Sequence, residues 1–215
     1  MTSGDDPPRS FQPLPGRTVD RSAAYEALLQ SLLDLIGVEP PPAARTAWHH
    51  QARREIGKAV TRHAKEAAPA PEEWFEPLLR AAIHEPNPSL NRQLVDPLVA
   101  AYGRDRVRLA LIAILDTGSA PDAAGAARAW YWTHRAPTGA GQKALSELYR
   151  HTALRRFVTD DDLDLRRCIL PGLPLDPEIY PAAMHDLVTQ AVRIARTSPD
   201  DYLRHRVEIQ VAPCS

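Results

Sequence analysis

This 215-residue chain has two cysteines, two methionines and three lysines, and only 6% of it is aromatic. Two cysteines, Cys168 and Cys214, with one at the extreme C-terminus, cannot build a disulfide framework. The fold must therefore rest on a packed core, and the expected setting is a reducing cytoplasm. No apolar run is long enough to cross a bilayer. Net charge is lacking too. Twenty-six basic against 27 acidic side chains leave −1, with 14 of each sign up to residue 110. No global field draws the chain onto nucleic acid or an anionic membrane. The sequence also lacks a phosphate-cradling glycine loop, a dinucleotide fingerprint, a nucleophile elbow, a paired-cysteine zinc pattern and a His-Glu-x-x-His helix. No cofactor or metal is therefore expected, no catalytic residue is assigned, and a non-enzymatic protein is the first reading.

What is present is helical periodicity. Tyr25, Leu28, Leu29, Leu32, Leu33 and Ile36 recur at steps of three and four and predict an amphipathic helix over 22–36, closed by Gly37 and Pro40-Pro41-Pro42. Residues 1–18, rich in proline and polar side chains, are expected to be a disordered lead-in rather than a signal peptide. Residues 43–68 predict one long helix, or two broken near Gly57, with a thin apolar stripe and a basic face of Arg53, Arg54, Lys58, Arg62 and Lys65. Glu55 and Glu66 interrupt that face and no aromatic residue is interleaved, so it reads as a solvated surface rather than a nucleic-acid track. Trp74 to Ile83 supply the buried face of the next helix. Asn87 is expected to cap a helix opening at Pro88 and running to Tyr102, kinked or shortened by Pro97. An almost wholly apolar helix over 104–115 is followed by a partner over 122–134, which opens with five small residues, Ala123 to Ala127, and ends in Trp130-Tyr131-Trp132. Further helices are predicted over 144–158, 163–170 and 178–195, with a last one opening at Ser198.

The later helices repeat. Arg128, Arg166 and Arg204 stand 38 residues apart, each preceded by a small or apolar residue and followed three positions on by Tyr131, Ile169 or Val207. Six residues before each lies a short acceptor: Asp122, Asp160 and Ser198. This pattern resembles HEAT repeats, whose second helices open with an aspartate and carry an arginine six positions on. The resemblance implies an all-α fold, a short α-solenoid of antiparallel helix hairpins over 71–215, with extra N-terminal helices over 19–70 in the same continuous domain. It also implies a ladder in which each aspartate caps a helix and accepts from a repeat arginine. Arginine in place of lysine, with much alanine and proline, resembles the usage of GC-rich bacterial genomes such as those of actinobacteria.

Several clusters invite chemistry and have plainer explanations. In Asp160-Asp161-Asp162 one acid is expected to cap a helix; three consecutive acids cannot all face one ion. His49 and His50, with Glu55, point about a hundred degrees apart on a helix, which disfavours a shared metal. Cys168 follows two arginines but adjoins an apolar position, as a packed thiol does. The expected binding patch is Arg128, Trp132 and Arg135 at i, i+4 and i+7, with Tyr131 and His134 beside them. In such arrays the second helices line the concave side, and arginines and aromatics anchor interfaces there. The functional expectation is a protein that binds another protein or a peptide in its groove. The alternative is a nucleic-acid-binding or base-modifying enzyme on a HEAT-like scaffold, of the DNA glycosylase kind.

Overall fold

The three-and-four spacing of Tyr25, Leu29, Leu32 and Leu33 puts these residues on one side of α1 (Ser22–Ile36), and all four are buried there. The computed structural model describes residues 22–40, 42, 45–66, 70–134 and 140–211. The disordered lead-in expected over 1–18 lies outside them, as do Arg135 and Cys214. Ten α-helices and no strand occur among the described residues. After α1 come α2 (Arg45–Lys65), α3 (Phe75–His84), α4 (Arg92–Tyr102), α5 (Arg104–Thr117), α6 (Ala120–Trp132), α7 (Ala140–Thr159), α8 (Leu163–Ile169), α9 (His185–Thr197) and α10 (Asp201–Val211). Most helices pack on the next helix and on the next but one: α1 on α2 and α3, α2 on α4, α5 on α6 and α7, α6 on α8, α7 on α9. One continuous core runs through them, from Leu29 past Leu78, Leu111 and Phe157 to Val207, all of them 0% exposed. Each such side chain contributes roughly 1.5–3 kcal/mol by leaving water.

Glycine and proline set how closely the helices approach. α2 runs unbroken through Gly57 because α4 needs the space: an added Cβ would stand 3.1 Å from the Gln93 carbonyl and 3.3 Å from the Pro97 ring. Pro97 has no N–H to give that carbonyl four residues back, yet α4 continues through it to Tyr102. At Gly125 of α6 the approach is tighter still, with a Cβ reaching 2.2 Å from the Ile83 carbonyl of α3. Five small residues in a row are what lets α6 lie against α3.

Several helix starts differ from expectation: α7 opens at Ala140 rather than 144, α10 opens at Asp201 with Asp200 rather than Ser198 as its cap, and three others differ for reasons that follow. Asn87 caps no helix. Its side chain accepts the Ser89 N–H at 3.0 Å, closing a turn, and α4 opens only at Arg92. α6 begins before Asp122, because Ser119 is its cap: the hydroxyl accepts the Asp122 N–H at 3.4 Å and donates to the Asp122 carboxylate at 2.7 Å. The helix expected over 178–195 starts at His185 instead. Tyr180 is extended, Pro181 follows it, and short 3-10 turns at Pro177–Ile179 and Ala182–Met184 take up the difference.

The 38-residue period is visible at the caps of α8 and α10. Asp160 accepts the Asp162 N–H at 2.9 Å and Asp162 accepts the Leu165 N–H at 2.8 Å; Ser198 accepts from Asp200 at 3.1 Å and Asp200 from Leu203 at 2.9 Å. The ladder expected between these acids and the repeat arginines does not form. Asp122 pairs with His84 at 3.0 Å and Asp160 with Arg156 at 2.9 Å. The repeat arginines donate to carbonyls at the C-terminal ends of earlier helices: Arg128 to Ile83 of α3 at 3.3 Å, Arg166 to Phe157 of α7 at 3.2 Å, and Arg204 to Ser198 after α9. Arg156 does the same for α5, donating to the Asp116 and Gly118 carbonyls, each at 2.9 Å. A helix end leaves its last carbonyls without N–H partners and carries partial negative charge, and an arginine answers both.

Candidate functional site

A cleft of about 840 Å³ is walled by α5, α6, α7, α8 and α10. Its floor is aromatic. Trp130 is buried, with Tyr149 of α7 stacked on it at 4.0 Å and Arg108 of α5 over its ring at 4.7 Å. Arg108 in turn donates to the Thr133 hydroxyl at 3.0 Å. Burial holds the Tyr149 phenol well above its ordinary range. At the mouth Tyr131 is 70% exposed and meets Trp132 edge-on at 5.0 Å. Trp132 is half-buried, donating its indole N–H to the Pro88 carbonyl at 3.1 Å, with Arg92 over its ring at 5.7 Å.

Four of the five residues singled out from the sequence therefore line one cleft: Arg128, Tyr131, Trp132 and His134. The fifth, Arg135, lies outside the described residues. Two residues apart on a helix, the tryptophans face different ways, Trp130 turning to the floor and Trp132 to the rim. His134 titrates below ordinary imidazole, chiefly because it is partly removed from water and further because Arg108 is near; its bond to the Tyr131 carbonyl works the other way.

Sequence reasoning missed the cations that reach the cleft from other helices: Lys143 and Arg150 of α7 and Arg206 of α10. Only the path of the chain brings them together with Arg128, and no local spacing marks them. None of the four forms an ion pair among the described residues, and no aspartate or glutamate lines the cleft there. A chain with a net charge of only −1 thus carries a strongly positive recess.

The other clusters resolve into structure. Cys168 accepts from Arg128 Nη1 at 3.4 Å. Asp162 caps α8. His49 faces Glu26 at 3.7 Å and His50 faces Gln93 at 3.5 Å, so the two histidines diverge. The α2 cations are not simply a solvated face. Arg53 is buried in an ion pair with Glu85 at 2.5 Å, and Arg54, Lys58, Arg62 and Lys65 line a second cleft of about 810 Å³ between α2 and α4. Ser89 lines both clefts, so they meet. No helix among the described residues is long and apolar enough to cross a membrane. Compared with known proteins, the chain matches no family model, no curated protein and no solved structure.

Proposed function

We propose that this protein is a short α-solenoid of helix hairpins that binds another protein or a peptide along the face made by its second helices, α2, α4, α6, α8 and α10. The observation that carries the reading is exposed Tyr131, beside half-buried Trp132, at the mouth of a cleft in which Arg128, Lys143, Arg150 and Arg206 form no ion pair among the described residues. Aromatic and arginine side chains beside a recess are the usual anchors of an interface. Helices that pack on the next and the next but one are what stacked hairpins require. The cytoplasm is the setting this reading supposes.

The base-modifying alternative stands second. Excision of a base needs a carboxylate or comparable group at the lesion and a free ring to stack on. The described lining has no carboxylate, and Trp130 is already taken up by Tyr149 and Arg108. Affinity capture with nuclease treatment tests the proposal. The tagged protein should retain a stoichiometric protein partner that survives nuclease and is lost on Tyr131→Ala. Retained nucleic acid, or unchanged capture by the variant, overturns it.

A further inference from the structure

Granting the groove reading above, on which this inference rests, the charge of the cleft identifies the chemistry of its occupant. We propose that the occupant is an acidic polypeptide segment, its carboxylates meeting Lys143, Arg150 and Arg206 and an apolar side chain packing on Tyr131.

Charge complementarity is the first argument. The chain has 27 acidic residues, yet none lines this cleft among the described residues. Elsewhere the basic side chains find carboxylates readily, as Arg53 does with Glu85, Arg92 with Asp96, Arg156 with Asp160 and Arg167 with Asp200. Like charges gathered without counter-charge repel one another, and folding gains nothing by collecting them. A carboxylate-bearing ligand supplies the missing charge.

Geometry adds a second. The Nε–H groups of Arg128, Arg150 and Arg206 are buried with no acceptor among the described residues. The necks of these guanidinium groups are thus held inside the wall. Arg150 has no hydrogen bond at all there, while Arg206 is tethered only at 3.5 Å to the Pro171 carbonyl. Arg128 spends its terminal nitrogens on Cys168 and Ile83, while the heads of Arg150 and Arg206, seated this way, present donors of the kind carboxylates accept.

The aromatics separate peptide from nucleic acid. A single strand needs successive free rings to stack on. Here Trp130 is covered, Trp132 has Arg92 over it, and among the described lining Tyr131 is the one tyrosine or tryptophan that is largely exposed, with the imidazole of His134 edge-on to Trp130 beside it. One exposed ring above an aromatic floor suits an apolar side chain flanked by acids. The second cleft, which also holds Asp96 paired with Arg92, adds further cations past Ser89. In it Lys58 is paired with Glu55, and Arg54, Arg62 and Lys65 have no ion pair among the described residues.

Fluorescence anisotropy on the full chain tests this with three labelled probes: a glutamate-rich peptide with a central Leu-Phe pair, the same peptide with glutamine for glutamate, and oligothymidine. The glutamate peptide should bind about tenfold or more tightly than the glutamine one, and less well as salt is raised. Lys143→Glu and Arg150→Glu should each weaken it about tenfold, while Arg80→Glu, on an exposed and unpaired arginine of α3, should not. Lys143 is exposed, so its variant keeps the test valid if Arg150→Glu proves unstable in thermal unfolding. Equal binding of both peptides overturns the acidic assignment and leaves the groove reading standing. Preference for oligothymidine overturns both. Binding of neither peptide overturns the assignment, and the capture experiment then decides the groove reading separately.

Discussion

Trp130 of α6 lies flat on Tyr149 of α7, ring centroids 4.0 Å apart and planes within 2° of parallel, while its sequence neighbour Tyr131 is 70% exposed. One peptide bond therefore separates a core residue from a surface residue. Trp130→Ala should destabilise the fold by about 3–5 kcal/mol, the range for a buried aromatic truncated to alanine. Tyr131→Ala should change stability by no more than about 0.5 kcal/mol. Urea unfolding of the two variants decides it; similar midpoints would contradict the assignment.

A second contrast lies at Arg166 and Arg167. The 38-residue period singles out Arg166, but that side chain is only half-buried, and its bond to the Phe157 carbonyl at 3.2 Å, charge-assisted on the donor side alone, is worth about 1.5–3 kcal/mol. Arg167 is the buried one, 3.4 Å from Asp200 and 5.0 Å over the Tyr202 ring. Removing it leaves the largely shielded Asp200 carboxylate with the Leu203 N–H but no counter-charge, so Arg167→Ala should cost up to about 3–5 kcal/mol. Thermal unfolding should rank Arg167→Ala well below Arg166→Ala, and the reverse order would refute this.

Gly125→Ala adds one carbon where only 2.2 Å separates its position from the Ile83 carbonyl, which is backbone and cannot swing aside. Overpacking of this kind costs about 1–3 kcal/mol, and occasionally more. Gly172→Ala, where nothing stands within 4 Å, is the control. A calorimetric scan should show the first variant melting below the second.

The contrast between these sites shows what could be read from the chain alone. Helix faces were legible where one stripe met one neighbour, as in α1, whose bounds follow from leucine spacing. The recess at Arg128, Tyr131, Trp132 and His134 was legible for the same reason: all four ride on or just past one helix. Its other wall was not, because Lys143, Arg150 and Arg206 gain meaning only when α7 and α10 arrive beside α6. The arginine period was real but misattributed. The regularity follows helix ends, whose carbonyls belong to no particular side chain, and so the acids that share the period take other partners.

Acid should loosen the fold in part through two histidines. His134 and His151 both titrate below the ordinary 6.5, first because they are partly desolvated; Arg108 adds to this at His134, and Arg150 and Arg155 at His151. A group whose folded pKa is depressed contributes stability that is complete above the unfolded value and is lost as pH falls through the folded one. The melting temperature should therefore decline below about pH 6.5. Replacing both residues by glutamine should flatten that decline. An undiminished slope in the double variant counts against it.

Arg128 also has a mechanical role. One end of its guanidinium holds the Ile83 carbonyl at the tail of α3 and the other holds the Cys168 sulfur on α8, while the residue itself stands on α6. Any twist of α8 relative to α3 must stretch one of these bonds, so α3, α6 and α8 behave as a braced truss. A ligand settling over that truss meets a template rather than a glove. It must bring its own shape to the cleft, and the ordering entropy of binding falls on the ligand.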